Sequence, residues 1–242
     1  MNVVAIIQAR TGSTRLPNKV FCELSEKPLL YHVIQRIKVS SEIDKIVVAT
    51  TTSNNDDLID KWAKENGVAC FRGSEENVLE RYYCAAEKYK ADLIVRITAD
   101  DPFKDYRIID KAVRIIQEYN FDFVCNNSPV SFPEGLDVEV LSMNSLRKSY
   151  QYSTTKFEKE HVTQYIHLNK DKFSIYNIQN TTNLSQHRWT IDTLEDYRFA
   201  KIIYENLYVK DQIFSPEEIY DLLEQKPYLV DINKHVNRST LY

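Results

Sequence analysis

The chain has 242 residues, 43% hydrophobic and 27% charged, with a formal net charge of −4. That length suits one generous α/β domain whose core needs no disulfide or structural metal, and the acidic balance speaks against nucleic acid as a bulk partner, because phosphate-backbone binders carry a basic surface. No run approaches a membrane span and no signal-peptide pattern opens the chain, so the expected compartment is the cytoplasm; Cys22, Cys70, Cys84 and Cys125 form no CxxC pair, which points to reduced structural thiols and away from zinc or dithiol chemistry.

The first element is an apolar β-branched run, Val3–Ile7, read as a buried strand. It breaks into Gln8-Ala9-Arg10-Thr11-Gly12-Ser13-Thr14-Arg15-Leu16-Pro17-Asn18-Lys19. Small residues and the cations Arg10, Arg15 and Lys19 at a strand end offer backbone N–H groups and fixed positive charge to a polyanion, with triphosphate the natural candidate. The spacing is neither GxxxxGK[ST] nor GxGxxG, and Gly/Ser/Thr turns after a first strand commonly bind nothing.

Further strands are expected at Lys45–Ala49, Ala69–Phe71, Leu93–Ile97 and Phe121–Cys125. Helical patterns at Leu29–Lys38, Asp56–Glu65, Asn77–Lys90 and Arg107–Tyr119 lie between them. In the second helix Leu58, Ile59 and Trp62 are placed on one face, with Asp56 and Asp57 at the positive N-terminal end. Alternation of this kind predicts a mainly parallel sheet covered on both faces, with ligands at the carboxyl ends of its strands.

After Asn126 the pattern changes. Turn residues Asn126–Pro129 and Phe132–Gly135 precede an alternating stretch, Leu136–Val140, read as a strand or hairpin. Helices follow over Asn144–Tyr152 and Lys159–Leu168, a strand over Phe173–Ile178, a last sheet strand over Arg188–Ile191, and helices over Leu194–Asn206 and Pro216–Gln225.

The string IIQARTGSTRLPNKVFCEL with KPLLYHVIQRI behind it resembles the start of the CMP-sugar cytidylyltransferases, the group that activates Kdo and sialic acids with CTP. The similarity runs on through IVVATTTSNNDDLID, FRGSEENVLERYYCAA, IVRITADDPF, PEGLDVEVLS, EKEHVTQYI and RWTIDTLEDY, nearly the whole chain, and is nearest to the SpsF-like branch of spore coat polysaccharide biosynthesis. The resemblance implies a Rossmann-like three-layer nucleotidyltransferase fold of GT-A-like type, with a small β-hairpin element for dimerisation and acceptor binding. It implies one domain over 1–242: a nucleotide-binding core at 1–125, an acceptor and dimerisation insertion at 126–187, and a last core strand with C-terminal helices at 188–242. It also implies a Mg²⁺-dependent homodimer that transfers CMP from CTP to a sugar acid and releases pyrophosphate.

The reaction needs a neutralised triphosphate and an in-line nucleophile. The resemblance gives Lys19 the α-phosphate and Arg10 and Arg15 the β/γ end, with Ala9, Gly12, Ser13 and Thr98 in the same nucleotide site. Gly73, Ser74 and Arg81 are carried to the cytidine, against the alternative that Arg81 lies on an exposed helix face. Asp100, in Ala99-Asp100-Asp101-Pro102 where the family has Gly-Asp-x-Pro, is the first metal candidate, since Mg²⁺ takes one or two carboxylates beside phosphates and water. Asp101 is read as a non-ligand that caps the next helix or meets solvent. Asp192 is the second metal candidate, although Asp192-Thr193-Leu194-Glu195 also reads as a capping box and Thr193 could cap as well. Glu134, Asp137, Glu160, His161 and Arg188 are assigned to the acceptor: carboxylates for polyol hydroxyls, Arg188 or Arg96 for an acid group, and His161 as packing residue or general base.

Two other enzymes stay open on the residues alone. A cytidylyltransferase acting on a sugar or alcohol phosphate would give a CDP product. A nucleotide-sugar glycosyltransferase would carry an Asp-x-Asp metal motif, which is not found. A non-catalytic nucleotide-binding module would have no use for Arg10, Lys19, Asp100 and Asp192 together.

Overall fold

Side chains alternate across the first strand, β1 (Val3–Gln8), and so divide the core in two. Val3, Ala5 and Ile7 enter one apolar cluster and Val4 and Ile6 the other, all of them buried. The structure, a computed structural model, describes residues 1–238; residues 239–242, the end of the last expected segment, lie outside them.

In chain order β1 is followed by a small antiparallel hairpin of β2 (Glu23–Leu24) and β3 (Lys27–Pro28), then α1 (Leu29–Lys38), β4 (Lys45–Thr51), α2 (Asp57–Glu65), β5 (Ala69–Gly73), α3 (Val78–Lys88), β6 (Leu93–Thr98) and α4 (Tyr106–Tyr119). The second half runs β7 (Phe123–Cys125), β8 (Glu139–Ser142), α5 (Met143–Tyr152), α6 (Lys156–Glu160), α7 (Gln164–Leu168), β9 (Ile175–Asn177), α8 (Leu194–Leu207) and α9 (Pro216–Gln225). The main sheet has the order β5-β4-β1-β6-β8-β7-β9. β5, β4, β1 and β6 are parallel, β8 is antiparallel to both neighbours, and β9 is parallel to β7. Buried residues of α1, α2, α4, α8 and α9 pack on one face, and those of α3, α5 and α7 on the other. This is the expected three-layer α/β architecture. The chain winds outward from β1 to β5 and returns to β6 on β1's other side, which leaves a crevice at the carboxyl ends of β1 and β6.

Five local expectations are corrected. Leu58 is exposed, and the inward face of α2 is Ile59, Trp62 and Ala63, one helical step round. The small hairpin sits at Glu23–Pro28, whereas the alternating stretch after Asn126 joins the main sheet only from Glu139. Before that point the Asn126 side chain takes the place of a partner strand, bonding Leu136 O at 2.9 Å and Val138 N at 2.7 Å. The helix expected over Lys159–Leu168 is broken between α6 and α7, because fully buried Val162 turns the chain at φ 51° and Thr163 Oγ1 bonds Glu139. The strand expected over Phe173–Ile178 is confined to Ile175–Asn177.

Arg188–Ile191 is not a sheet strand. It makes a single parallel bridge, Arg188 with Glu134, and then reaches the β6 loop through Ile191 N to Asp100 O at 2.9 Å. Gly135 permits this approach: at φ 102°, a Cβ there would lie 2.8 Å from Thr190 N and from Trp189 C.

Candidate active site

The loop after β1 is tied down by a carboxylate that sequence reading had placed at a helix end. Buried Asp56 accepts from Thr11 N and Thr11 Oγ1, both at 2.7 Å, and from Thr51 Oγ1. Burial alone would raise its pKa, but these hydroxyl and amide donors outweigh that and hold the carboxyl below its usual range. Thr11 O in turn accepts from Ser13 N and Asn18 N, at 2.8 and 3.1 Å. The loop therefore enters and leaves from one anchored point, and its middle rims a cavity of about 410 Å³.

That cavity gathers most of the expected site residues. Ala9, Arg10, Gly12, Ser13, Arg15 and Lys19 line it from the loop, and Thr98 and Asp100 from the end of β6. Arg81 lines it from α3, and Asp192 stands just before α8. Glu134, Asp137, Glu160 and His161 close the side toward β8.

Gly73, Ser74 and Arg188 stand behind the wall. Ser74 O accepts from Arg81 Nη1 at 2.7 Å, and a Cβ on Gly73 would meet Phe71 and Arg81 at 2.9 and 3.1 Å. Both residues thus seat the Arg81 side chain, which is only 2% exposed and not on a solvated helix face. Its Nε has no hydrogen-bond partner. An unpaired buried donor costs about 1–3 kcal/mol and favours an incoming acceptor.

At the centre, Lys19 Nζ lies 2.6 Å from Asp100 Oδ2, 2.8 Å from Asp192 Oδ1 and 3.2 Å from Ile191 O. Burial would lower the Lys19 pKa, yet the two carboxylates outweigh it and keep the amine charged. Burial likewise would raise Asp100, and Lys19 overrides it, holding that carboxyl at about 2. Asp101 faces elsewhere, toward Lys104 Nζ at 2.8 Å and Thr98 Oγ1 at 2.6 Å.

The capping box of α8 is Thr193 with Asp196, not Asp192 with Glu195. This register frees the Asp192 carboxylate for the cavity. Two oxygens from separate loops, Asp100 Oδ2 and Asp192 Oδ1, therefore converge on a point already held by a cation. Hard oxygen donors of this kind fit a divalent ion that completes its shell with phosphate and water. Among the described residues no cluster of three metal-type side chains forms, so the protein's share would be these two.

Arg188 is the hub behind Asp192. It bonds Glu134 Oε2 at 2.6 Å, Asp196 at 2.9 and 3.1 Å, and Asp192 Oδ2 at 3.2 Å. Asn233 Nδ2 locks it from the C-terminal side through Arg188 O and Asp196 Oδ1, at 2.9 and 3.0 Å. On the side toward β8, Arg96 pairs with buried Glu139, which also accepts from Thr163 Oγ1 at 2.9 Å and lies 3.5 Å from His167 Nε2. Burial pushes Glu139 up, but Arg96 and His167 prevail and hold it far below the usual carboxylate range. Arg238 pairs with Asp137 at 3.3 Å. His161 packs edge-on to Phe157, and burial pushes its pKa down, so it is neutral near pH 7.

Sequence reading missed Asp56, Lys104, Glu139 and Arg238. Lys104, three residues after Asp101, was within reach of a spacing argument; Glu139 and Arg238 meet partners far along the chain, and Asp56 joins nearby Thr51 to Thr11, 45 positions back.

A family model described as cytidylyltransferase matches residues 4–234. The chain belongs to the cytidylyltransferase family. Among its relatives, the spore coat polysaccharide biosynthesis protein SpsF of Bacillus subtilis is 32% identical over 236 residues, covering 93% of this chain and 95% of that protein. A 3-deoxy-manno-octulosonate cytidylyltransferase of Pelobacter propionicus is 32% identical over 116 residues, 47% of this chain and 44% of that one. The solved structure of a cytidylyltransferase from Leptospira borgpetersenii superposes with a TM-score of 0.90 at 33% identity, covering 99% of each chain. The relationship places this cytidylyltransferase in the CMP-sugar group, on its SpsF-like branch.

Proposed function

We propose that this enzyme transfers CMP from CTP to a sugar acid with Mg²⁺ and releases pyrophosphate, for a surface polysaccharide or glycan. The convergence of Lys19, Asp100 and Asp192 on one point of the cavity carries the reading. An acceptor hydroxyl oxygen forms a bond to the α-phosphorus, and the bond from that phosphorus to the bridging oxygen of the β-phosphate breaks with its electrons. When bound, the divalent cation supplies charge neutralisation on the triphosphate. Lys19 stabilises charge developing at the α-phosphate, and Arg10 and Arg15 hold the departing end. Arg81, with its unpaired buried N–H, and the backbone near Ala9 hold the cytidine. Neutral His161 stands ready to take the hydroxyl proton.

The acceptor is assigned to Glu134, Asp137 and Glu160 for its hydroxyls and to Arg96 for its carboxylate. We further place the reaction in the cytoplasm, in a homodimer; no helix of the described residues is long and apolar enough to cross a membrane. The test is pyrophosphate release from CTP and Mg²⁺ over a panel of Kdo, nonulosonic acids and sugar phosphates. Release with a sugar acid is expected, and release only with a phosphate would replace this reading by a CDP-forming one.

A further inference from the structure

Two parts of the proposed reaction claim the same position. The divalent cation belongs between Asp100 and Asp192, and Lys19 belongs on the α-phosphate; yet Lys19 Nζ itself lies between these carboxylates, at 2.6 and 2.8 Å. With Ile191 O at 3.2 Å, the ammonium has an acceptor for each of its three N–H donors. The side chain is only 14% exposed. Asp192 is held on its other oxygen by Arg15 at 3.1 Å and Arg188 at 3.2 Å, so it is not free to follow a departing cation.

We infer that Lys19 is an internal placeholder, whose ammonium bars the divalent cation from the carboxylate pair until a triphosphate arrives. This rests on the site reading given above. A bare cation entering the pair would strand a buried ammonium with one carbonyl, a costly state. A cation arriving with a triphosphate brings phosphate oxygens that can receive Nζ, and the flexible four-carbon stem of lysine allows the exchange. Cation and nucleotide affinities are then coupled, each raising the other by the same factor. The pair stays neutralised at rest, and Lys19 is delivered to the phosphate by the event that loads the site.

The experiment measures Mn²⁺ binding to the intact protein by the paramagnetic resonance of free Mn²⁺, with and without a non-hydrolysable CTP analogue. Wild type should bind Mn²⁺ weakly alone and much more tightly with the analogue. Lys19→Met should bind nucleotide-free Mn²⁺ at least about tenfold more tightly than wild type, as expected from removing a charge at contact distance, and should gain less from the analogue than wild type does, since the phosphate ligands remain but no ammonium has to be displaced. Arg15→Gln removes a charge from the same Asp192 without vacating the position, and should shift affinity less than about threefold, as for an exposed pair. Lys19→Arg, which keeps a charge near the pair, guards against misfolding of the Met variant and should still exclude Mn²⁺. Tight nucleotide-free binding by wild type or Lys19→Arg would overturn the placeholder, as would an Arg15→Gln gain equal to that of Lys19→Met. Adding Asp100→Asn to Lys19→Met separates the two levels. Loss of Mn²⁺ binding keeps the carboxylate pair as the cation site, and unchanged binding removes that site reading together with the placeholder.

Discussion

The two sides of the crevice solve opposite electrostatic problems. Toward β5, Arg10 has no carboxylate partner among the described residues, and buried Arg81 is held by a carbonyl with its Nε unpaired. Toward β8, cations are matched: Arg96 with Glu139, Lys104 with Asp101, Arg238 with Asp137, Arg188 with Glu134. On the proposed function, the first side keeps positive charge for an incoming polyanion, and the second is a prepaired network that fixes the carboxylates assigned to the acceptor. Lys19 lies on the seam, matched by Asp100 and Asp192 and proposed to move to the phosphate.

The largest effect is expected where the matched side is broken. Glu139→Gln leaves Arg96 buried without its counter-charge, and breaking such a pair costs about 3–5 kcal/mol. A chemical melt should show that loss, with acceptor KM rising as the Arg96 side chain is released. The sign with pH follows from lowered carboxyl pKa values. Glu139 and Asp100 add stability above their unfolded values, near pH 4, and lose it as pH falls, Asp100 through about 2. Wild type should therefore unfold steeply in acid below pH 4, and Glu139→Gln should show a shallower dependence. An unchanged acid slope would mean that Glu139 does not carry this charge.

On the seam, Lys19→Ala should lower kcat by about 10²–10³, the range for losing one transition-state charge contact, with little change in CTP affinity. A mutant hit in KM alone would move Lys19 from the reacting phosphate to simple binding.

The matched side also depends on backbone fit. Gly135→Ala places a methyl 2.8 Å from two backbone atoms at a positive φ, and strain of this type costs about 1–3 kcal/mol. A lowered Tm with Glu134 no longer engaged by Arg188 is expected. An unaltered Tm would show that the loop can shift without loss.

The two sides were also unequally legible. The cation loop follows a strand whose apolar run and turn residues carry a local signal, and α1 and α9 begin and end at the expected Leu29–Lys38 and Pro216–Gln225, the latter under a capping box of Ser215 with Glu218. The crevice itself follows from β/α alternation. The matched side has no such local code. Asn126 substitutes for a strand partner, Val162 turns at positive φ, and Arg238 meets Asp137 across 101 positions. Arg188 is assigned to the acceptor because a sugar acid calls for a cation, but Glu134, far back in the chain, and Asp192 and Asp196 just ahead of it claim the guanidinium instead. The shift of the α8 cap from Asp192 to Thr193 is a one-residue difference that propensity cannot resolve, and it decides whether Asp192 faces the cavity.

The smallest effect tests how far the loop after β1 relies on exposed charge. Arg15 touches Asp192 at 3.1 Å, but its side chain is 62% exposed. An exposed pair is worth about 0.2–1 kcal/mol and weakens with salt. Arg15→Gln should therefore raise the KM for CTP by no more than about fivefold, from the same energy range, and the difference from wild type should vanish as ionic strength rises. Lys19→Ala should keep its defect at every salt concentration, because its partners are shielded from solvent. If Arg15→Gln instead gave a large, salt-independent loss of kcat, Arg15 would be closing over bound nucleotide. The loop middle, anchored through Thr11 and Asp56, would then be part of the reacting centre.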